Sequence, residues 1–360
     1  MFSDYGFSPS LSAAFVLVAI AAILLVRSWR NLHALPKLPL SSSAEPPDCM
    51  VVIPARNEAS CIARAVSSLP HDSVIVVDDH STDATAEEAR KAGAGVLPAP
   101  QLPHGAVGKS HACMIGARVL TSRWVLFADA DTWYEAGFLD SAVAGAAAGG
   151  LDLLSIHLTP APQSLAEHLL APYLSALFFS AANPRRNPVA VFSGRCLLVR
   201  REAYEFVGGH APILKHLSED VKLAALAQRH RLKISVARAG KLGHVRLYTG
   251  WRGIWRGVVR DALRVAQLNP GFGVVILLTA LCAALWIPAL AWMWMEGHRV
   301  AAEVLAFVLL VLLAPWYGTW FGVLRVLLTP FAIYAAIPFL LHGALGSLSS
   351  RRITWKGRII

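Results

Sequence analysis

The sequence predicts an α/β domain, a mostly parallel sheet with helices on both faces, joined to helices apolar enough to cross a membrane. Three observations carry this. Short apolar runs alternate with segments of helical spacing from Cys49 onward. Polar clusters follow directly on three of those runs, where such sheets bind ligands. Long uncharged stretches flank that region in a chain of 360 residues that is 55% hydrophobic, with mean hydropathy +0.50.

The first element is Leu11 to Val26, LSAAFVLVAIAAILLV, uncharged and just long enough with its flanks to span as a helix. Asp4 precedes it and no Lys or Arg does, whereas Arg27, Arg30 and Lys37 follow. A secretory leader has the reverse polarity and a small-residue cleavage site. This polarity suits a retained anchor with its N-terminus outside and the next domain in the cytoplasm. LPKLPLSSSAEPPD then reads as a linker. The five cysteines are odd in number and form no Cys-x-x-Cys pair, which fits a reducing compartment and packing roles.

From Cys49 the pattern changes. CMVVIP is a strand, EASCIARAVSSL has helical spacing, and SVIVVDD is a strand again. STDATAEEARKAG reads as a helix opened by a Ser/Thr/Asp cap and closed by Gly93. SHACMIGARVL is helical and RWVLFADAD a strand. The clusters PARNE, DDHSTD and DADTW thus fall at strand ends, aimed at one crevice.

Each cluster has a plain reading beside a chemical one. Asp78 and Asp79 at a buried strand end would repel each other unless a ligand with N–H or hydroxyl donors relieved them; Ser81 or Asp83 alone would explain a helix cap. Asp129 and Asp131 lie i, i+2, so in an extended segment they point the same way and can hold Mg²⁺ or Mn²⁺, with phosphates completing the shell. The alternative is a solvated acidic turn. Ser218-Glu219-Asp220 opens an amphipathic helix, where acids complement the macrodipole or one serves as general base. Gly108-Lys109 suits a tight loop with a phosphate or donor-sugar contact, or a surface Lys before a helix. His104, His111, His210, His216 and His244 read as surface or packing residues, with His244 as an additional metal ligand the alternative.

The net charge of +10 concentrates near the apolar runs, in RSWR, RLYTGWRGIWRGVVR and SSRRITWKGR. That placement favours anionic headgroups over nucleic acid. His244 to Val265 interleaves Arg with Trp, Tyr and Val as an interfacial helix does, and a cation there would also help a diphosphate depart. Leu165 to Ser180 is either a core helix or a membrane-docking one. Gly271 to Met295 is a second span, and Val304 to His342 a longer apolar region broken by APWYGTW and Arg325.

In order, VVIPARNE, VVDDHSTDAT, LFADADT, FSGRCLLVRREAYEFVGGH and LSEDVKLA resemble the family 2 inverting glycosyltransferases of GT-A fold, over roughly Cys49 to Gly240. The membrane-bound members associated with hopanoid and carotenoid-lipid biosynthesis look most similar. They share the GK after the third strand and a tail like Trp355 to Arg358. The resemblance implies that Pro54, Ala55, Asn57 and Glu58 line a nucleotide pocket and that Asp78 and Asp79 bind uracil and ribose. It implies a metal–diphosphate site at Asp129 and Asp131, and Lys109, Gly194 and Arg195 on the donor side. Asp220 would be the base, with Glu219 the alternative. The Gln-x-x-Arg-Trp string of processive synthases is missing from the sequence, so transfer of a single sugar is expected.

The expected partners are a nucleotide-sugar, UDP-linked, a lipid acceptor and the bilayer, with no nucleic acid. Competing readings are a nucleotidyltransferase on a lipid-linked precursor and a non-catalytic scaffold with a degenerate transferase domain. The expected organisation is an anchor over 1–35, a linker over 36–48, the GT-A domain over 49–240, an interfacial helix over 241–270, a membrane region over 271–346 and a basic cytoplasmic tail over 347–360. A multi-pass inner-membrane protein with two C-terminal spans plus an interfacial or re-entrant segment returns that tail to the cytoplasm.

Overall fold

The computed structural model of the chain describes residues 9–41, 45–216, 218–268, 270–320, 323–348, 354–355 and 358–359. Part of the expected linker and most of the basic tail, including Lys356, lie outside the described residues. The chain divides into two units. Met1–Ala34, Pro162–Asn183 and Tyr248–Arg351 form an apolar unit; Leu35–Ala161, Pro184–Leu247 and Arg352–Ile360 form a globular one.

The globular unit is built on strands β1 (Cys49–Ala55), β2 (Val74–Asp78), β3 (Gly95–Pro98), β4 (Trp124–Ala128), β6 (Leu153–His157), β8 (Cys196–Arg200) and β9 (Ile234–Arg238), in the sheet order β3-β2-β1-β4-β8-β6-β9. A second sheet orders β5 (Thr132–Tyr134), β10 (Gly243–Val245) and β7 (Thr159–Pro160) as β5-β10-β7. Val51, Val52 and Ile53 are fully buried, so β1 is covered on both faces and reads as a continuous apolar run rather than an alternation.

Helices α2 (Ile62–Ser67), α3 (Thr85–Lys91), α4 (Gly108–Arg118), α5 (Phe138–Ala148), α7 (Arg201–Phe206) and α8 (Glu219–Arg229) complete this unit. α4 lies close on the sheet because Gly116 has no side chain: a Cβ there would stand 2.4 Å from Val52 Cγ1.

Two features of the sheet position the site. The chain builds β1, β2 and β3 outward in one direction, then returns with β4 on the other side of β1. That reversal opens a crevice beyond the carboxyl ends of β1 and β4. β8 departs from the expected parallel pattern, because it runs antiparallel to both β4 and β6. Its first residue, Cys196, pairs with Ala128, the last of β4. Gly194 and Arg195 are therefore delivered beside Asp129.

The globular unit also extends beyond residue 240, since Gly243 to Val245 pair with β5. Pro36 and Leu38, expected as linker, hydrogen-bond to Arg238 on β9 at 2.7 and 3.0 Å.

The apolar unit comprises α1 (Pro9–His33), α6 (Leu165–Ala181), α9 (Gly250–Leu268), α10 (Pro270–Met295), α11 (Arg299–Trp320) and α12 (Thr329–Leu348). By length and composition, four segments could cross a membrane: Leu11–His33, Gly273–Met295, Arg299–Tyr317 and Arg325–His342. The last three of these follow the globular unit in sequence. α6 starts at Ser164, whose Oγ accepts from Glu167 N while Glu167 Oε2 reaches back to Gln163 N at 2.7 Å. Its Leu170, Tyr173 and Leu177 pack with Ala14, Val18 and Ile254, so α6 leaves the globular unit for the apolar one.

Candidate active site

The loops after β1 and β2 are laced together. Asn57 N donates to Ser81 Oγ at 3.0 Å, Thr82 N to Asn57 Oδ1 at 2.8 Å, and Glu58 N to Thr85 Oγ1 at 2.8 Å. Arg56 Nη1 donates to the Asp79 carbonyl at 2.7 Å. Asp83, rather than Ser81, meets the start of α3: it accepts from Thr85 N at 3.0 Å and Ala59 N at 3.2 Å. Pro54 and Ala55 are the last residues of β1. Asp78 and Asp79 do not form the crowded pair expected from sequence. Successive residues leaving a strand face opposite ways, and Asp79 is buried while Asp78 is half-buried. Asp78 Oδ2 takes Ser81 N at 3.4 Å, and its Oδ1 is buried with no hydrogen-bond partner.

Asp129 to Asp131 is a turn, which corrects the extended geometry expected for this pair. Thr132 N and Thr132 Oγ1 both donate to the Asp129 carbonyl, at 3.2 and 2.7 Å, folding the chain back. The two carboxylates diverge in role. Asp129 Oδ1 is 2.7 Å from Lys109 Nζ. Asp131 Oδ1 is buried without a partner. Burial pushes the Asp131 carboxyl up to about 7; the Asp129 and Glu58 charges add to the effect, and Arg195 and Lys109 oppose it. Glu58, Asp129, Asp131, Arg195 and Lys109 are thus electrostatic neighbours drawn from the ends of three strands and the start of α4.

Lys109 is the hub. At the start of α4, its Nζ also lies 3.1 Å from Glu219 Oε1 and 3.2 Å from the Gly194 carbonyl. Burial works against the ammonium, but Asp129 and Glu219 outweigh it and hold the group charged well above its usual range. Lys109 therefore neutralises two acids in this structure rather than presenting a free cation. Asp220, buried in the first turn of α8, accepts from Gly194 N at 2.8 Å through Oδ2 and from Val221 N at 2.7 Å through Oδ1. Asp129 N donates to the Arg195 carbonyl at 3.0 Å, which closes the ring of contacts.

Of the surface and packing roles read for it from the sequence, His210 takes the packing one. It is buried, with its ring edge-on to Phe127 at 5.0 Å. Tyr204 Oη lies 2.6 Å from His210 Nδ1 and accepts from His210 N at 3.1 Å. Burial pushes the imidazole down to about 4, with Glu219 opposing and Lys109 assisting. The signal was the Tyr-x-x-x-Gly-Gly-His spacing. Gly209 has φ +57°, and a Cβ there would meet the Tyr204 ring at 2.5 Å, so the glycine lets the ring lie against the backbone. His244, the other candidate ligand, instead stacks on Trp133 at 5.5 Å and points Nε2 at Glu135 Oε1, 3.5 Å away.

Among the described residues no three His, Cys, Asp or Glu side chains form a ready-made metal cage. Mg²⁺ and Mn²⁺ need none, since they are commonly held by one or two carboxylates plus substrate phosphates. The buried, unpartnered Asp131 oxygen, reluctant to ionise without a cation, fits such a role. Burial pushes the Cys49, Cys113 and Cys196 thiols up, so these three stay protonated and unreactive.

This arrangement defines a class. Residues 50–208 match glycosyl transferase family 2, and the globular unit that holds most of them has a GT-A fold. The 4,4'-diaponeurosporenoate glycosyltransferase of Staphylococcus haemolyticus (strain JCSC1435) is 27% identical over 246 residues, covering 63% of this chain and 64% of the relative. Its counterpart in Staphylococcus aureus (strain USA300) is 29% identical over 216 residues, covering 55% of this chain and 56% of the relative. The chain thus spans less than two thirds of the length of these relatives. The mannosyltransferase PcManGT from Pyrobaculum calidifontis, solved with GDP-Man and Mn²⁺, superposes with TM-score 0.58 at 20% identity, over 94% of this chain and 99% of that one.

Proposed function

We propose that the protein is a membrane-bound inverting glycosyltransferase that moves one sugar from a nucleoside diphosphate sugar to a lipid acceptor. The observation that carries this is the buried Asp220 carboxylate, held through Gly194 beside the Lys109–Asp129–Glu219 network, whose Lys109 and Asp129 also neighbour the unpartnered Asp131 oxygen.

The residues divide the work as follows. The loops around Asn57, Glu58 and Asp78 take the nucleoside, where the unpartnered Asp78 Oδ1 accepts from its N–H or hydroxyl groups. Asp131, aided by Asp129, holds Mg²⁺ or Mn²⁺; when bound, the cation neutralises charge on the departing diphosphate. The N–H of Gly194 orients Asp220, and Arg195 contributes positive charge on the donor side. Asp220 takes the proton of the acceptor hydroxyl as its oxygen bonds to the anomeric carbon; the bond from that carbon to the diphosphate breaks, with inversion. An acceptor carboxylate is already ionised and needs no base. Lys109 pairs with both Asp129 and Glu219 and holds them in place.

A lipid acceptor is supported by the apolar helices on both sides of the domain in sequence and by the relatives named for diaponeurosporenoate. The same helices and the charge pattern support a multi-pass inner-membrane protein with its domain in the cytoplasm. The test is transfer of radiolabelled sugar from UDP-sugars and GDP-sugars into lipid extracts by full-length protein with Mn²⁺ or Mg²⁺, compared with Asp220→Asn. Transfer lost in the variant with nucleotide binding retained supports the reading; equal transfer refutes it.

A further inference from the structure

β6 carries two polar side chains on one face of an otherwise apolar strand. Ser155 and His157 lie i, i+2, and side chains at that spacing point the same way. Ser155 is fully buried inside the sheet, paired with Leu197 of β8 on one side and Val236 of β9 on the other. A hydroxyl so placed is costly unless it is hydrogen-bonded. Its Oγ donates to the Ser193 carbonyl at 3.1 Å and accepts from Ser193 N at 2.9 Å. His157 Nε2 lies 2.7 Å from the Val191 carbonyl, and since a carbonyl only accepts, the ring donates. Both side chains thus grip the segment that enters β8 through Gly194 and Arg195.

Ser193 to Arg195 have no helix or strand of their own to fix them. Side chains and backbone of the site hold them instead. The Ser193 carbonyl and the Gly194 N–H are the two ends of one planar trans peptide, so they point in opposite directions. Ser155 takes the carbonyl end, and Asp220 Oδ2 takes the N–H end at 2.8 Å. The next two carbonyls are held as well, Gly194 by Lys109 Nζ at 3.2 Å and Arg195 by Asp129 N at 3.0 Å. Glycine at 194 makes room for these contacts: a Cβ there would stand 3.0 Å from Glu219 Oε1 and 3.1 Å from Asp220 Cβ. Glycine also lowers the cost of rotating the peptide between residues 193 and 194, since it has no Cβ to oppose the turn. Something must therefore hold that peptide plane in place.

We propose that Ser155 is a positioning residue for the base. By holding the Ser193 carbonyl it keeps the Gly194 N–H, rather than a carbonyl, turned to Asp220, and so fixes the carboxylate for the acceptor. Ser155 acts through one peptide plane and not on the reacting atoms. This rests on the reading of Asp220 as the base, and part of its test needs no substrate, so the two can fail separately.

The test follows hydrogen exchange and transfer side by side in full-length protein. Exchange over residues 191–196, read by mass spectrometry without substrate, rises by about tenfold or more in Ser155→Ala. Transfer from UDP-sugar or GDP-sugar into lipid extract falls by about 10–100-fold in kcat, while KM for the nucleotide-sugar stays within about twofold. Ser155→Thr keeps the hydroxyl and restores both. Ser155→Cys, a weak donor of similar size, falls between them and serves where Ser155→Ala does not fold. In an Asp220→Asn background Ser155→Ala costs little more, because the group it positions is already disabled. Unchanged exchange in Ser155→Ala overturns the proposal. So does a raised KM with kcat kept, or a loss that multiplies in full on top of Asp220→Asn. Wild type that transfers no sugar, or equal transfer by Asp220→Asn, refutes the proposed function instead, and exchange alone then judges the hold of Ser155 on Gly194.

Discussion

Replacing Asp131 by Asn should stabilise the fold while disabling the site. In the folded protein Asp131 holds its proton up to about 7; unfolded, it releases it near 3.8. The stability this proton contributes is complete below about pH 4 and is lost as pH rises to about 7, above which the buried carboxylate is ionised at a cost. The difference corresponds to about 4 kcal/mol. Because the residue is half-buried and partly screened, about 2 kcal/mol is the expected size. Asn is neutral throughout and escapes the loss. His210 titrates in the opposite sense: its folded value of about 4 lies below the usual 6.5 of an imidazole, so its contribution falls away on acidification. It is present in both proteins and cancels in their difference. The assay is thermal unfolding of full-length protein in EDTA, followed by tryptophan fluorescence from pH 5 to 8. At pH 8 the variant should melt higher by on the order of 4–8 °C. The gap should shrink toward pH 5, and metal-dependent nucleotide binding should be lost. A variant that melts lower at pH 8, or a gap indifferent to pH, would show that Arg195 and Lys109 already satisfy the Asp131 charge.

Asp220→Asn should cut transfer by roughly 10²–10⁴-fold if the acceptor is a hydroxyl, with nucleotide affinity nearly unchanged by calorimetry. Lys109→Met leaves Asp129 and Glu219 without their shared cation and should cost about 3–5 kcal/mol in urea unfolding. Gly209→Ala combines a left-handed φ of +57° with a Cβ 2.5 Å from the Tyr204 ring and should cost about 2–5 kcal/mol. Gly240→Ala shares the left-handed φ, +61°, but meets nothing within 4 Å and should cost only about 1–2 kcal/mol, so their difference in melting temperature isolates the Tyr204 clash.

Much of the sheet was legible because its strands are buried on both faces and so read as unbroken apolar runs ended by polar clusters. Cys49 to Ala55 and Trp124 to Ala128 are examples. The direction of Cys196–Arg200 was not legible, since apolar composition carries no sign for parallel or antiparallel pairing. The polar clusters at the ends of β1, β2 and β4 followed from strand-end logic, whereas the α8 acids, at a helix start, were expected beside them only from the family resemblance. The turn at Asp129 followed from neither, because it rests on Thr132, whose hydroxyl could have bonded elsewhere. Lys109 was singled out for phosphate; its capture by two acids depends on tertiary neighbours that lie far off in sequence. The departure of α6 was ambiguous because an apolar helix serves equally well inside a soluble core and in an apolar bundle.

The insertion of α6 between β6 and β8 sets a schedule for biosynthesis. A ribosome emits β1 to β4 first, and these can pair among themselves, but β6 waits for strands not yet made. Until β8 emerges, the growing half-sheet carries β4 as a naked border, open to mispairing with other nascent chains. The greasy segment that must be translated in between occupies the exit path for a few seconds at about 5–20 residues per second. Gly194, Arg195 and Asp220 arrive only afterwards. A nascent chain of this protein thus commits its α6 before it can complete its chemistry, and chains stalled at that stage are natural clients for chaperones and proteases.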